Sequence, residues 1–318
     1  MPVFRWFNRF LKRQDPVIDM AATKFFTPAQ LKVFDKLPGD EVNTRIQELF
    51  VPKAKPPPEV QTEEGRKQWR DRCLAELKVR TFGGWPAQEP PLELRRVFSS
   101  RRAGVRLEAF DFTSQSCIRL RLYLAQSAGA AKPKRVVLNV ADEQDWRPWL
   151  AAMQTAFAGE LREEMAVSGG NGQADEPAFA DLKRQLAVDK TAMAWIAPRG
   201  IGMSAWTTNA AKVTQIRRRF MLLGQTLDSM RVWDIRRAVQ AMRALPGDGR
   251  PALTLSSHHQ MGVNALYAAL FEPRIARLDL ADLPPSHAEG PDYLNVLRVW
   301  DLPDALAAAQ DRGEVELR

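Results

Sequence analysis

The segment "LTLSSHHQMGVNALYAALFEPRI", residues 253–275, decides how the rest of the sequence is interpreted. It opens with a short apolar run that is typical of a buried strand. From Val263 to Phe271 it is rich in Ala and Leu, which is typical of a helix. A sharp turn must therefore fall between them, at Ser257-His258-His259-Gln260-Met261-Gly262. Polar side chains at such a strand-to-helix turn are candidates for chemistry.

Outward from this segment, short apolar runs alternate with segments of helical length. Alternation of apolar and polar residues predicts antiparallel strands at 104–112 and 117–125. Further strands are predicted at 135–140, 193–197, 251–256 and 276–280, with a last short one in "EVEL", and helices at about 62–80, 145–163, 177–188, 209–223 and 227–245. Strands alternating with helices predict an α/β fold with a doubly wound, mostly parallel sheet.

The first 91 residues are predicted to be a helical lead-in with a linker. Phe4, Phe7 and Phe10 recur at helical spacing near the start, a stripe suited to a neighbouring domain or a membrane surface. In "TPAQLKVFDKLP" (27–38) the Thr-Pro start and the final Pro predict a second helix. "VPKAKPPPEV" (51–60) predicts an extended polyproline linker. We therefore expect a lead-in over 1–91 and a globular domain over 92–318.

The composition narrows the class of protein. With 45% hydrophobic and 26% charged residues, the 318-residue chain is predicted to be a soluble globular protein. The sequence contains neither an apolar run long enough for a transmembrane helix nor a signal peptide, and its compartment stays unknown. The net charge of +8 is dispersed and carries no nucleic-acid-binding motif, so no nucleic-acid partner is expected. The two cysteines predict no metal site or disulfide framework, and no cofactor is predicted.

Several segments together carry a resemblance to a known family. "AWIAPRGIG" (194–202), the long stretch 215–245, the 253–275 segment and "FEPRIARLDLADLPPSHAEGPDYLNVLRVWDLPDALAAA" (271–309) resemble the α/β-hydrolases of the acetylxylan-esterase type, near dienelactone hydrolases and prolyl oligopeptidases. The resemblance implies an α/β-hydrolase sheet that is incomplete at its C-terminal end. "WFNRFLK" (6–12) resembles the last helix of a preceding hydrolase domain. The chain thus resembles the C-terminal half of a tandem hydrolase.

The resemblance places an unusual residue at the reactive turn. In this family a serine stands at the centre of the turn, between two small residues. His259 falls at the serine position here, while Ser257 and Met261 fall at the small positions. Because imidazole cannot supply the attacking oxygen, and because side chains crowd a tight turn, we expect a relaxed turn without the usual nucleophile.

A relocated pair is the alternative, with Ser256 or Ser257 as nucleophile and His258, His259 or His287 as base. The weak candidates for catalysis are Ser257, His259 and His287, of which His287 is expected in a loop near the cleft. The resemblance implies that the acid and the base follow later strands, and no histidine follows His287. Asp301 and Asp304 are predicted to begin a helix instead.

The remaining cleft candidates follow the strand 193–197. Gly200 and Gly202 could present backbone N–H groups to an oxyanion, and Arg199 and Trp206 could hold a sugar or carboxylate. The acidic and basic residues at the start of the long helix, Asp228, Arg231 and Asp234, are expected to brace it through ion pairs.

Three hypotheses of function follow. The first is a degenerate hydrolase domain, a pseudoenzyme that supports a catalytic partner, either an N-terminal hydrolase domain or a second copy. The second is an active carboxylic-ester hydrolase that uses the relocated pair on acetylated polysaccharide. The third is a basic adaptor that binds anionic polymers.

Overall fold

The computed structural model describes residues 2–16, 26–50, 52–54, 62–129, 133–169, 172–188, 191–245 and 251–318. The chain divides into two compact units, Met1–Val51 and Pro52–Arg318. Most of the predicted polyproline linker lies outside the described residues. Among those that are described, no helix is long and apolar enough to cross a membrane.

The first unit contains short helices. Helix α1 (Pro2–Phe7) continues as a π-helical turn over Asn8–Lys12, and helix α2 (Ile46–Phe50) follows a 3-10 turn. The prediction of a helix over 27–38 is wrong. Only one turn forms there, after Thr27, whose carbonyl accepts a hydrogen bond from the backbone N–H of Leu31. The apolar side chains beyond that turn, such as Phe34, are exposed. Short helices depend on packing of an apolar face, which this segment lacks.

The second unit is built on an eight-stranded sheet. In chain order the strands are β1 (Arg95–Arg102), β2 (Val105–Gln115), β3 (Ile118–Ser127), β4 (Arg135–Val140), β5 (Thr191–Ile196), β6 (Ala252–His258), β7 (Arg277–Ala281) and β8 (Glu314–Leu317). The order across the sheet is β1-β2-β3-β5-β4-β6-β7-β8. The pairs from β1 to β5 are antiparallel, and those from β5 to β8 are parallel. The predicted mostly parallel α/β sheet is confirmed.

Helices cover this sheet: α3 (Glu63–Arg80), α4 (Glu143–Phe157), α5 (Arg162–Val167), α6 (Glu176–Ala187), α7 (Ala210–Leu222), α8 (Leu227–Ala244), α9 (His259–Phe271) and α10 (Leu302–Gln310). Most begin at a residue whose side-chain oxygen accepts from a free backbone N–H of the first turn, for example Asp142 before α4 and Thr226 before α8. Helices α8 and α9 are largely buried: α9 is apolar on most of its surface, whereas α8 also buries charged side chains such as Asp234 and Arg237.

The strand order creates a crevice where ligands usually bind. From β4 the chain crosses to β5 on one side, and it later returns to β6 on the other side of β4. In open α/β sheets, ligands bind outside the carboxyl ends of strands at such a reversal. A site is therefore expected at the ends of β4 and β6. These ends are occupied by Ala141–Asp145, which follow β4, and by His258–His259, where β6 ends.

The segment that follows α3 packs into the core of the second unit. Phe82 and Trp85 stack on one another at 4.5 Å, and Phe82 contacts Tyr267 with ring centroids 5.5 Å apart. The Trp85 indole N–H donates to the carbonyl of Ser229 at 2.8 Å. These contacts attach residues 63–85 to helices α8 and α9.

Candidate functional site

The strand-to-helix turn is tight. β6 ends at His258 and α9 begins at His259, whose φ of 50° lies in the left-handed region that favours glycine. The prediction that this turn has a relaxed backbone is therefore wrong. Gly262 explains part of the closeness, because a Cβ at that position would lie 2.6 Å from Leu283 Cδ2 and 3.6 Å from the carbonyl carbon of Ser257. The strained backbone persists although Ser257 and Met261 are not glycines.

The side chains of the turn have separate roles. Ser257 is buried, and its hydroxyl donates to the Val140 carbonyl at 2.9 Å. Met261 is also buried and packs in the core. His259 is exposed at the apex, and its ring meets that of His258 edge to face at 4.6 Å. The turn therefore presents imidazole to solvent, while the Ser257 hydroxyl bonds to the backbone.

A cluster of three titratable side chains lies beside the turn. His258 Nε2 lies within hydrogen-bond distance of Asp145 Oδ1, at 2.8 Å, and His258 Nδ1 lies 4.0 Å from Asp142 Oδ2. Asp142 is buried, and Asp145 and His258 are half-buried. This cluster is not predicted by the sequence, although Asp142 follows β4 and His258 ends the neighbouring parallel strand β6. Adjacent strand ends were the signal that could have found it.

The cluster borders a crevice of about 420 Å³ on the α4 side of the sheet. Helices α4 and α6 form one wall, and the ends of β4, β6 and β7 form the other. Lining residues include Asp145, Trp149, Trp195, Ser256, His258 and Asp279. The crevice thus combines aromatic surface with hydroxyl, carboxylate and imidazole groups.

His287 lies in a different place. It is 6% exposed, and its Nε2 lies 2.7 Å from the hydroxyl of Tyr267, which accepts from the Trp300 indole at 2.8 Å. Burial lowers the pKa of His287 to about 4, which keeps the ring neutral. It borders a second hollow with Gln260 and Tyr293, and it does not line the crevice of His258.

Arg199 is held by a buried carboxylate. Its guanidinium donates twice to Asp234, at 2.8 and 2.7 Å, and its backbone N–H donates to the same group at 2.9 Å. The Ser114 hydroxyl also donates to Asp234, at 2.5 Å. Since Arg199 and Asp234 are both buried, this pair links β2, β5 and α8 and leaves no guanidinium face toward the crevice.

The glycines after Arg199 make room for tryptophans. Both have positive φ, 82° at Gly200 and 57° at Gly202. A Cβ at Gly202 would lie 2.7 Å from the Trp146 ring, and one at Gly200 would lie 2.9 Å from the ring of Trp206, which is 47% exposed. The use of this turn as an oxyanion site stays a prediction.

Ion pairs brace α8 as predicted. Arg231 bonds to Glu143 at 2.7 Å and lies 3.5 Å from Asp228. Burial raises the pKa of Asp228, and the two arginines beside it, Arg231 and Arg217, oppose that effect. The prediction for Asp301 and Asp304 is also confirmed, because the two form a capping box at the start of α10.

Comparison with known proteins gives the fold a context. No protein-family model matches the sequence, and no curated protein matches it. Solved structures do match. A Bacteroides fragilis protein named as a candidate acetyl xylan esterase superposes with a TM-score of 0.62 at 11% identity, covering 86% of this chain and 73% of that one. A glucuronoyl esterase from Solibacter usitatus superposes with a TM-score of 0.55 at 15% identity, covering 85% of this chain and 81% of that one.

Identity this low supports a statement about fold and not about chemistry. The strand order, with β4 and β5 exchanged and the strands from β5 to β8 parallel, agrees with that statement. The chain therefore has an α/β-hydrolase fold, similar to that of acetyl xylan esterases and glucuronoyl esterases.

Proposed function

We propose that this chain is a catalytically degenerate α/β-hydrolase domain that supports a catalytic partner half, an N-terminal hydrolase domain. His259 carries the proposal. It occupies the strained apex of the turn, with φ of 50°, and it is exposed there without a hydroxyl. Acyl transfer at such a turn requires an activated oxygen or sulfur nucleophile, which imidazole does not provide in this fold.

The nearby hydroxyl of Ser257 supports the same proposal. It is buried and donates to the Val140 carbonyl, so attack on an ester would require it to leave that bond. The proposal of a partner is supported by the exposed apolar side chains of α1 and its π-helical extension. Six of them are 47–69% exposed: Val3, Phe4, Trp6, Phe7, Phe10 and Leu11. Contiguous exposed apolar surface of this kind is typical of an interaction site.

The test is labelling with a fluorophosphonate probe, which reacts with activated serines. We expect the purified chain to stay at the background of a heat-denatured sample, while an active serine esterase is labelled in parallel. Ser256→Ala and Ser257→Ala serve as matched variants. Labelling of the folded chain that disappears in one of them would identify a relocated nucleophile and overturn the proposal.

A second candidate function is ester hydrolysis of acetylated polysaccharide. One observation favours it: His258 has a carboxylate partner, Asp145, at 2.8 Å, and Ser256 lines the same crevice. A base oriented by an acid is what a relocated pair would need. This candidate expects turnover of 4-nitrophenyl acetate that falls by about 10²–10⁴-fold in His258→Ala and persists in His259→Ala.

A further inference from the structure

We propose that Asp142, Asp145 and His258 form a binding site for a divalent cation, with Zn²⁺ as the ion they fit best. The inference does not depend on the proposed function, because a cation could be structural or could take part in ligand binding. Each residue offers one ligand atom, and these atoms lie within 4.8 Å of one another.

The three ligand atoms are close enough for one ion once the imidazole moves. Zn²⁺ binds imidazole nitrogen and carboxylate oxygen at about 2.0–2.2 Å, so two tetrahedral ligands stand about 3.3–3.6 Å apart. Asp145 Oδ1 lies 2.8 Å from His258 Nε2, and Asp142 Oδ2 lies 4.0 Å from the other ring nitrogen, Nδ1, so the two carboxylates face different nitrogens and only one of these could bind the ion. Rotation of the imidazole is the main adjustment that binding would require.

Helix α4 orients the carboxylates before any ion arrives. Asp142 Oδ1 accepts from the backbone N–H groups of Gln144 and Asp145, and Asp145 Oδ2 accepts from the N–H of Asp142. Each carboxylate therefore uses one oxygen in the capping box. The other two oxygens, Asp142 Oδ2 and Asp145 Oδ1, are the ones nearest to His258.

The mixture of ligands selects the ion. Ca²⁺ and Mg²⁺ prefer oxygen ligands, whereas imidazole together with carboxylate suits Zn²⁺. Three protein ligands leave one position of a tetrahedral ion open. The adjoining crevice of about 420 Å³ has room for a molecule at that position.

The wall of the crevice next to the cluster contains a buried donor without a partner. Trp149 lies one turn of α4 beyond Asp145, lines the crevice and is 8% exposed. Its indole N–H has no hydrogen-bond partner among the described residues. Buried N–H groups without partners are rare in folded proteins, and because this nitrogen is itself buried, a ligand in the crevice would reach it only if the Trp149 ring turned.

Isothermal titration of ZnCl₂ into the untagged, chelator-treated full chain tests the proposal. We expect one Zn²⁺ per chain, not displaced by excess Mg²⁺. His258→Ala and Asp145→Asn should each weaken binding by about tenfold or more, since even loss of a residue that only supports a metal ligand costs 10–100-fold. The variant Asp145→Asn keeps the shape of the side chain and decides the outcome if His258→Ala does not fold, which circular dichroism would reveal.

His259→Ala is the matched control, because it removes the adjacent exposed imidazole and leaves the cluster intact. It should retain Zn²⁺ affinity within about twofold of the parent chain. Visible absorption of bound Co²⁺ gives a second readout, with tetrahedral bands that disappear in Asp145→Asn. Absence of binding, or binding that Asp145→Asn and His258→Ala leave unchanged, would overturn the site.

Discussion

His287 shows how burial controls the protonation of a single side chain. Its ring packs against Tyr267 and Tyr293, and among the described residues the Tyr267 hydroxyl is the one hydrogen-bond partner of its ring nitrogens. Burial lowers its pKa from 6.5 to about 4, because the protonated ring would lose its hydration, and Asp301 opposes the shift. The folded chain therefore excludes a proton that the unfolded chain binds below pH 6.5.

This difference makes stability depend on pH. As the pH falls from about 6.5 toward 4, the free energy of unfolding should fall by about 1.4 kcal/mol per pH unit through this group. Urea unfolding at pH 7 and pH 5 measures the difference. His287→Gln should flatten the dependence relative to the parent chain, whereas His259→Gln, at an exposed position, should not. Equal slopes for His287→Gln and the parent chain would contradict the assignment.

The Arg199–Asp234 pair is expected to contribute to folding and not to ligand binding. Arg199→Met would leave the fully buried Asp234 carboxylate without its cation. Loss of one partner of a buried ion pair costs about 3–5 kcal/mol. Chemical denaturation should show that loss, while Arg218→Met, at an exposed arginine of α7, should stay near the parent value. A loss below about 1 kcal/mol would instead return Arg199 to the list of ligand-binding candidates.

At the scale of elements, hydrophobic periodicity predicts the strands and helices that bury one apolar face in the core. The predicted strands at 104–112, 135–140 and 276–280 match β2, β4 and β7 within a few residues. β1 was missed because an edge strand of sequence RRVFSSRR buries little apolar surface and has no alternation to detect. The segment 27–38 has residues typical of helix ends, Thr27-Pro28 and Pro38, but its apolar side chains stay exposed, so packing does not stabilise a helix there.

The candidate site was harder to predict for a related reason. Asp145 and His258 are 113 positions apart in the chain, and only the adjacency of β4 and β6 brings them together. The sequence indicates that each lies near a strand end, but strand order follows from packing of the whole sheet. The strained backbone of His259 does not follow from the sequence argument, because that argument expects the side chains of Ser257 and Met261 to prevent a tight turn. Gly262 provides close approach one position later.

The turn after β5 gives a prediction at the same scale. Gly202→Ala would place a methyl group against the buried Trp146 ring at a backbone φ of 57°. Overpacking and left-handed strain should together cost about 2–4 kcal/mol. Thermal unfolding measures the effect. Gly159→Ala is the matched control, because nothing lies within 4 Å of the new methyl group there, and it should leave the melting temperature nearly unchanged.

For the whole molecule, the question is where the folded domain begins. The sequence predicts a boundary at residue 91, and the two compact units of the chain are Met1–Val51 and Pro52–Arg318. The main hydrophobic core includes Cys73, Leu77, Phe82 and Trp85, all of which precede residue 91. The core of the described chain draws no residue from the first unit.

Two truncated chains separate these boundaries. Removal of residues 1–51 should leave the free energy of unfolding within about 1 kcal/mol of the full chain, because the residues of the main hydrophobic core lie between Cys73 and Ala309. Removal of residues 1–91 would also delete Phe82 and Trp85 and expose Tyr267 and Phe271, which they contact. Deleting one buried aromatic side chain costs about 3–5 kcal/mol, and domains are stable by only about 5–15 kcal/mol. The shorter chain should therefore be largely unfolded in the absence of denaturant. A cooperative transition at the parent melting temperature would instead place the boundary near residue 91, with α3 as an appendage.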